Sequence, residues 1–411
     1  MQKQGKTIQS SIMMFFVICA LVGLATGFTE SLLSNYFKEA YDVNAQQRGF
    51  IEFPRELPGV ISIFFIAALS FMGNIKSAII AQVLTIGGLL LLALTRPSFA
   101  IMLLFLFIYS TGIHMYLPLG DSIGLSLAKK QDMGKVLGRF NGLRMAFLMI
   151  AGVITYVGFK QGWFNYEKPI LVFIIAAVIY LVVAVLLLVL HKKGATGDNE
   201  VTVNTKLVFR KEYARYYIIC ALFGGRKQIM LVYSPWVLID LLGFKTDTMS
   251  VLAVVGSLIG VFFIPAVGKW IDKFGVKKIM IAEALAFIVI YTAYGFLSKW
   301  VTLNVVALTG IVMLLVYLLN IVDRMTAQFG MVRSIYMRAI ALVPEDVTPS
   351  LSLGMSIDHI VAIAGSYVCG VIWYNWGPEY VFILAGVMSL MNLLVARGIK
   401  LNDKNEKVTA A

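Results

Sequence analysis

The sequence predicts an all-α membrane protein of twelve transmembrane helices in two pseudo-symmetric six-helix bundles, and three observations predict it. Apolar residues make up 59% of the chain and charged residues 14%, too little polar surface to cover a soluble body of 411 residues. The apolar residues gather into runs near the roughly 20 residues that cross about 30 Å of hydrocarbon. A polar stretch close to the midpoint divides these runs six and six.

The first run, 11–34, follows Lys3 and Lys6 as a signal peptide would. It is too long and lacks a small-x-small cleavage site, so it is expected to stay attached as the first helix. The first half continues with 48–71, 76–95, 98–128, 138–159 and 168–190. The second half is read as 214–242, 247–270, 278–298, 302–340, 350–373 and 378–398, of which the fourth and tenth spans of the chain are overlong. This places one bundle in residues 1–190 and another in 214–411. The linker 191–213, with Gly194, Gly197, Asp198, Asn199 and Asn204, has the small and polar composition of a flexible connector.

With an even number of spans both termini share a side, and most Lys and Arg outside the spans fall there. Clusters at Lys129, Lys130, Lys135 and Arg139, at Lys192 and Lys193, and at Lys206, Arg210, Lys211 and Arg215 carry the excess. That side is expected to be cytoplasmic, in the cell membrane. The net charge of +13 is therefore a topology signal, with membrane lipids as a secondary contact and no nucleic acid as partner. Cys19, Cys220 and Cys369 lie inside spans and read as packing residues. The histidines at 114, 191 and 359 have no metal-ligand spacing, and no nucleophile motif is present. No enzyme, metal or cofactor is expected, and the chain is read as a monomer.

A repeat is visible between the halves. Phe71-Met72-Gly73-Asn74-Ile75-Lys76 aligns with Lys273-Phe274-Gly275-Val276-Lys277-Lys278, keeping the glycine and the last lysine. Leu137-Gly138 and Leu353-Gly354 open the fifth and eleventh spans. The connector runs Gly268-Lys269-Trp270-Ile271-Asp272-Lys273-Phe274-Gly275-Val276-Lys277-Lys278. Gly268 permits close helix approach, Gly275 can take a positive φ in a tight turn, and the lysines hold the loop on the cytoplasmic side. Asp272 can accept from free N–H groups at a helix start, and Thr348-Pro349, at the opening of the eleventh span, is the candidate partner.

With Gly268, Asp272, Lys273, Gly275, Lys277 and Lys278 in place, this connector resembles the loop signature of the major facilitator superfamily, and the six-plus-six layout extends the resemblance over nearly the whole chain. The resemblance implies a gate in which Asp272 braces the cytoplasmic side when the transporter faces outward. It also implies that the first, fourth, seventh and tenth helices surround the substrate. Three departures qualify it. Ser70 stands where the first-half copy should carry Asp; the fourth span has Ile108 and Tyr109 in place of the frequent Arg; and Ala151-Gly152-Val153-Ile154 lacks the glycine- and proline-rich signature of drug antiporters.

Charges inside spans are costly and mark function by default. Glu52, Arg55 and Glu56 share one face of the second span, beside Pro54 and Pro58. Arg226 and Lys227, with Tyr233 and Trp236, fall in the seventh span, Asp323 and Arg324 in the tenth, and Arg144 in the fifth. On the resemblance these residues are expected to bind substrate. Neighbouring residues point about 100° apart, so one member of each adjacent pair is expected to serve structure. Glu30, Glu52, Glu56, Asp358 and His359 are the proton-coupling candidates, since burial moves carboxylates and imidazoles into the working range. His114 reads as a packing histidine, and Trp163, Trp300 and Trp373 as interfacial anchors. Asp121 and Glu283 are left open between cavity and helix contacts.

The function expected is secondary active transport of a small polar solute (a sugar, sugar acid or organic anion) by alternating access with proton symport. No nucleotide-binding loop offers another energy source. The alternatives are an efflux antiporter for lipophilic compounds and a transporter-like solute sensor; the short tail after Arg397 weighs against the sensor.

Overall fold

The computed structural model describes residues 2–127, 133–194, 209–305, 310–343 and 346–399. Lys129, Lys130, Lys206 and linker residues 195–208 lie outside the described residues, as do the side chains of Lys3, Lys6, Lys135 and Thr348. The described chain forms helices throughout: α1 Gln2–Tyr41, α2 Ala45–Ala68, α3 Asn74–Leu94, α4 Phe99–Leu127, α5 Met133–Lys160 and α6 Leu171–Lys192. The second half contributes α7 (214–241), α8 Thr246–Phe274, α9 Val276–Thr302, α10 Ile311–Ile340, α11 Val347–Trp376 and α12 Pro378–Arg397. The overlong tenth span is corrected: Asn304 and Gly310 both take positive φ, 54° and 53°, and these left-handed residues part α9 from α10.

Among the described residues, 10 helices are long and apolar enough to cross a membrane. The exceptions are α2, which carries Arg48, Glu52, Arg55 and Glu56, and α7, which is interrupted. In α7, Pro235 has no N–H to give to the preceding turn, and the chain widens into π turns at Ile229–Tyr233 and Val237–Leu241 around Ser234–Trp236. The Ser234 N–H reaches Ile229 O and the Leu242 N–H reaches Val237 O, each skipping five residues.

Two compact units emerge. One comprises Met1–Asp42, Pro54–Val203 and Thr246–Val254; the other Val43–Phe53, Asn204–Lys245 and Val255–Ala411. In the first, α1 packs on α5 and α3 on α4 and α6; in the second, α7 packs on α11 and α9 on α12, the same pairings six helices later. Phe15, Ile18, Met115, Leu119 and Phe140 lie in the first core, and Tyr216, Val267, Met280, Val332 and Tyr336 in the second. Trp163 and Trp300 are exposed at helix ends, whereas Trp373 is buried beside Tyr233, 5.8 Å between ring centres, and is a core residue rather than an anchor.

The repeat is most exact at its joints. Gly73, before α3, has φ 77° and ψ 160°; Gly275, between α8 and α9, has φ 82° and ψ 157°. Only glycine populates this region without strain, and any other residue held there costs about 1–3 kcal/mol. Gly73→Ala and Gly275→Ala are therefore expected to lower stability by similar amounts, read as loss of thermal midpoint in detergent, while Gly386→Ala, in open space on α12, leaves it unchanged. A wild-type midpoint in both joint variants would refute the account.

Candidate functional site

The intramembrane charges of the second unit sort by which way a helix turns them. Arg226 of α7 is 2% exposed and its guanidinium meets Glu283 of α9 at 2.5 Å. The same guanidinium lies 3.8 Å over the Phe287 ring and 5.5 Å over Phe223, and the Tyr291 hydroxyl donates to the Arg226 carbonyl at 3.4 Å. Arg226 is thus spent inside the unit, and Glu283, left open by the sequence, is its partner. Lys227, one residue on, turns instead to Asp358 of α11 at 3.3 Å, and both side chains keep partial exposure, 18% and 13%. Arg333 of α10, not anticipated from the sequence, stacks 3.2 Å over the other contact of Arg226, Phe223.

Asp323 and Arg324 divide in the same way. Asp323 is 1% exposed and accepts from the Ser234 hydroxyl at 2.6 Å; Arg324 is half-buried with its Nε 3.3 Å from Asn320 Oδ1. His359 is half-buried next to Asp358. Tyr233 and Trp236, expected to face substrate, are fully buried; the Tyr233 hydroxyl donates to Ser366 O. The beginning of α2 joins this unit. Arg48 and Glu52 form a fully buried pair at 2.6 Å, with the Arg48 guanidinium 5.8 Å from the Trp236 ring centre. The spacing of Arg48 and Glu52 by four residues was a legible signal for that pair.

In the first unit Glu30 of α1 meets Arg55 at 3.4 Å, and Glu56 is buried. His114 places Nδ1 2.9 Å from Ser110 O of its own helix, as a packing histidine would. A cleft opens between α1, α4 and α5, lined by Cys19, Tyr116, Asp121, Phe140, Asn141 and Arg144. Asp121 is exposed and Arg144 half-buried. Among the described residues neither makes an ion pair, with the other or elsewhere. Two opposite charges in one membrane-depth cleft are therefore left for something else to satisfy.

At the connector, Gly268, Gly275 and Lys277 are partly buried, while Asp272, Lys273 and Lys278 are exposed, with the Lys273 ammonium 5.2 Å from the Phe274 ring centre. Asp272 makes no hydrogen bond or ion pair among the described residues. Ser70, its first-half counterpart, donates back to Ala67 O of its own helix at 2.8 Å. α11 opens one residue before Thr348, at Val347, with Asp346 as its N-cap residue. The Tyr213 hydroxyl donates to Asp346 Oδ2 at 2.6 Å, and Arg210 Nε lies 2.8 Å from the same oxygen. The Tyr213 bond first, and Arg210 second, hold this carboxyl below the usual carboxylate range. With the folded value below that of the unfolded chain, the tether is complete above the ordinary aspartate range and is lost as pH falls through the lowered value. Among the described residues no group of three or more His, Cys, Asp or Glu could hold a metal ion.

Solved structures share this architecture at low identity. A mutant of the nucleoside transporter NupG superposes with a TM-score of 0.76 at 14% identity, covering 94% of this chain and 99% of that one. A D-xylose-proton symporter gives 0.67 at 15%, covering 94% and 96%, and a bacterial homologue of the iron transporter ferroportin 0.69 at 12%, covering 95% and 98%. No protein of curated function matches the chain. The family model of the Major Facilitator Superfamily matches residues 15–343. Twelve helices in two bundles with glycine joints at matching places are what that match requires, and the chain belongs to the Major Facilitator Superfamily, as an integral, multi-pass membrane transporter.

Proposed function

We propose that this transporter moves a small polar solute, a sugar, sugar acid or organic anion, by alternating access coupled to proton symport. The bundles 1–190 and 214–411 are its moving parts, joined by the linker 191–213, in a monomer with both termini cytoplasmic in the cell membrane. The observation that carries the substrate class is the first-unit cleft, where Asp121 and Arg144 have no ion-pair partner. A lipophilic cargo would leave both charges without compensation, whereas a hydroxylated or anionic solute can accept from the guanidinium and donate to the carboxylate. The partly exposed Lys227–Asp358 pair of the second unit supplies a similar polar surface. Proton coupling is supported by the supply of intramembrane carboxylates, and one structural neighbour is itself named a proton symporter.

The test is uptake into proteoliposomes with an imposed pH gradient, screened over sugars, sugar acids, organic anions and lipophilic dyes. One polar class should accumulate with the gradient. Arg144→Gln should reduce its uptake about tenfold or more, the loss of one charge-assisted hydrogen bond, with the protein still monodisperse. Dye transport without polar uptake would refute the substrate class; polar uptake indifferent to the gradient would refute the coupling.

A further inference from the structure

Buried carboxylates in the second unit follow a rule with one exception. Glu52 has Arg48 at 2.6 Å, Glu283 has Arg226 at 2.5 Å, Asp346 has Arg210 at 2.8 Å and Asp358 has Lys227 at 3.3 Å. Asp323, 1% exposed and mid-way along α10, has a serine. Ser234 Oγ donates to Oδ2, and Oδ1 is buried with no hydrogen-bond partner. An ionised carboxylate with one neutral donor and one bare oxygen is the costliest arrangement a protein interior offers. A neutral carboxylic acid in the same place leaves unsatisfied only a hydroxyl-sized dipole, at a cost of about 1–3 kcal/mol.

The charged and ionisable neighbours do not change this. Arg226 of α7 is engaged with Glu283, and Arg324, on the same helix as Asp323, reaches Asn320. Tyr291 and Tyr294 of α9, the other ionisable groups within electrostatic reach, are neutral phenols buried in the unit.

The donor is placed as a moving part would be. Ser234 sits between the two π turns of α7, directly before Pro235, where the regular hydrogen-bond ladder is already broken. Wide turns of this kind recur at functional positions, because a small change of register there is cheap. Lys227, half of the partly exposed Lys227–Asp358 pair, lies on the same helix about two turns away.

We propose that Asp323 is the proton-carrying group of this transporter, loaded as the neutral acid when Ser234 is in place and emptied when α7 shifts. The step is a single proton transfer: an O–H bond forms on the carboxylate with a proton from water, and breaks to return it. This assigns to Asp323 a role different from substrate contact. It rests on the proton-coupled reading above, but proton occupancy can be read without any solute.

The experiment is infrared difference spectroscopy of the full-length protein in nanodiscs, titrated from pH 5 to pH 9, on wild type, Asp323→Asn, Ser234→Ala and the control Glu30→Gln. Wild type should show a carboxylic-acid C=O band at pH 7 that fades as pH rises; Asp323→Asn should lack it and Glu30→Gln keep it. Ser234→Ala, which retains the carboxyl, should move the band to higher frequency through loss of the hydrogen bond, and it answers the question if Asp323→Asn fails to fold. In proteoliposomes Asp323→Asn should keep solute exchange and lose gradient-driven accumulation. A band untouched by both substitutions, or one removed by Asp323→Asn but constant over the whole titration, overturns the proposal. Loss of exchange together with accumulation, with the band unchanged, also overturns it and returns Asp323 to substrate contact or structure. Failure of the solute screen with the titrating band intact would leave the proton site standing and reject only the solute class.

Discussion

Glu283→Gln is expected to destabilise the second unit by about 3–5 kcal/mol, the usual cost of removing one member of a buried ion pair. Arg226 is 2% exposed, Glu283 is its carboxylate at 2.5 Å, and Nε and one terminal nitrogen of the guanidinium already lack hydrogen-bond partners. The Phe287 and Phe223 rings supply cation–π attraction of about 2 kcal/mol when desolvated, too little to hold an unneutralised charge away from water. The double variant Arg226→Met, Glu283→Leu removes both charges and should recover most of the loss, because a well-packed apolar pair replaces a pair that had to be desolvated. Thermal unfolding of the wild type, both single variants and the double variant in one detergent closes the cycle. If Glu283→Gln unfolds within about 1 kcal/mol of wild type, Arg226 has another counter-charge and the buried pair is not what holds α7 to α9.

Gly23→Val and Gly27→Val should each cost about 1–3 kcal/mol or more, and together less than their sum. A Cβ at Gly23 would stand 2.8 Å from Arg144 Cα and closer still to the Arg144 carbonyl oxygen; at Gly27 it would stand 2.6 Å from Leu148 O and 2.6 Å from Ala151 Cβ. Both glycines lie on one face of α1, one turn apart, and let its backbone touch that of α5, as small residues do where membrane helices meet. Backbone cannot rotate aside as a side chain does, so α1 and α5 must separate. Separation widens the cleft that holds Arg144, and uptake should fall together with the unfolding temperature. The first substitution creates the gap that the second fills, hence the sub-additive pair. Gly142→Val on α5, where a Cβ meets nothing within 4 Å, is the control. Glycine variants that unfold with the control would show that α1 and α5 are not in backbone contact.

The elements readable in the sequence were those whose cause is local. Runs near the thickness of the bilayer marked the helices within a few residues, and where one failed, in the overlong tenth span, two positive-φ residues had interrupted an unbroken apolar run. Gly73 and Gly275 were legible because a helix-to-helix joint of this geometry accepts only glycine. The division of Arg226 from Lys227 and of Asp323 from Arg324 followed from the helical repeat alone. The partners did not. Glu283, Ser234 and Arg333 come from helices far along the chain, and nothing near Arg226 or Asp323 in sequence names them. Asp346 was passed over for Thr348 because both suit a helix start; what separates them is the Tyr213 hydroxyl and Arg210, brought in from more than a hundred residues away.

By itself, then, the sequence determined that this chain crosses a membrane, in how many helices, with which repeat and at which glycines the halves are jointed, because bilayer thickness, helical pitch and backbone sterics act on consecutive residues. The tertiary structure alone decided which charges neutralise each other and which are left over. Charge compensation depends on distances of about 3 Å between helices, and those distances are set by packing. Arg144 and Asp121 open to a cleft, and Asp323 facing a serine where its fellow carboxylates face cations, are results of that packing.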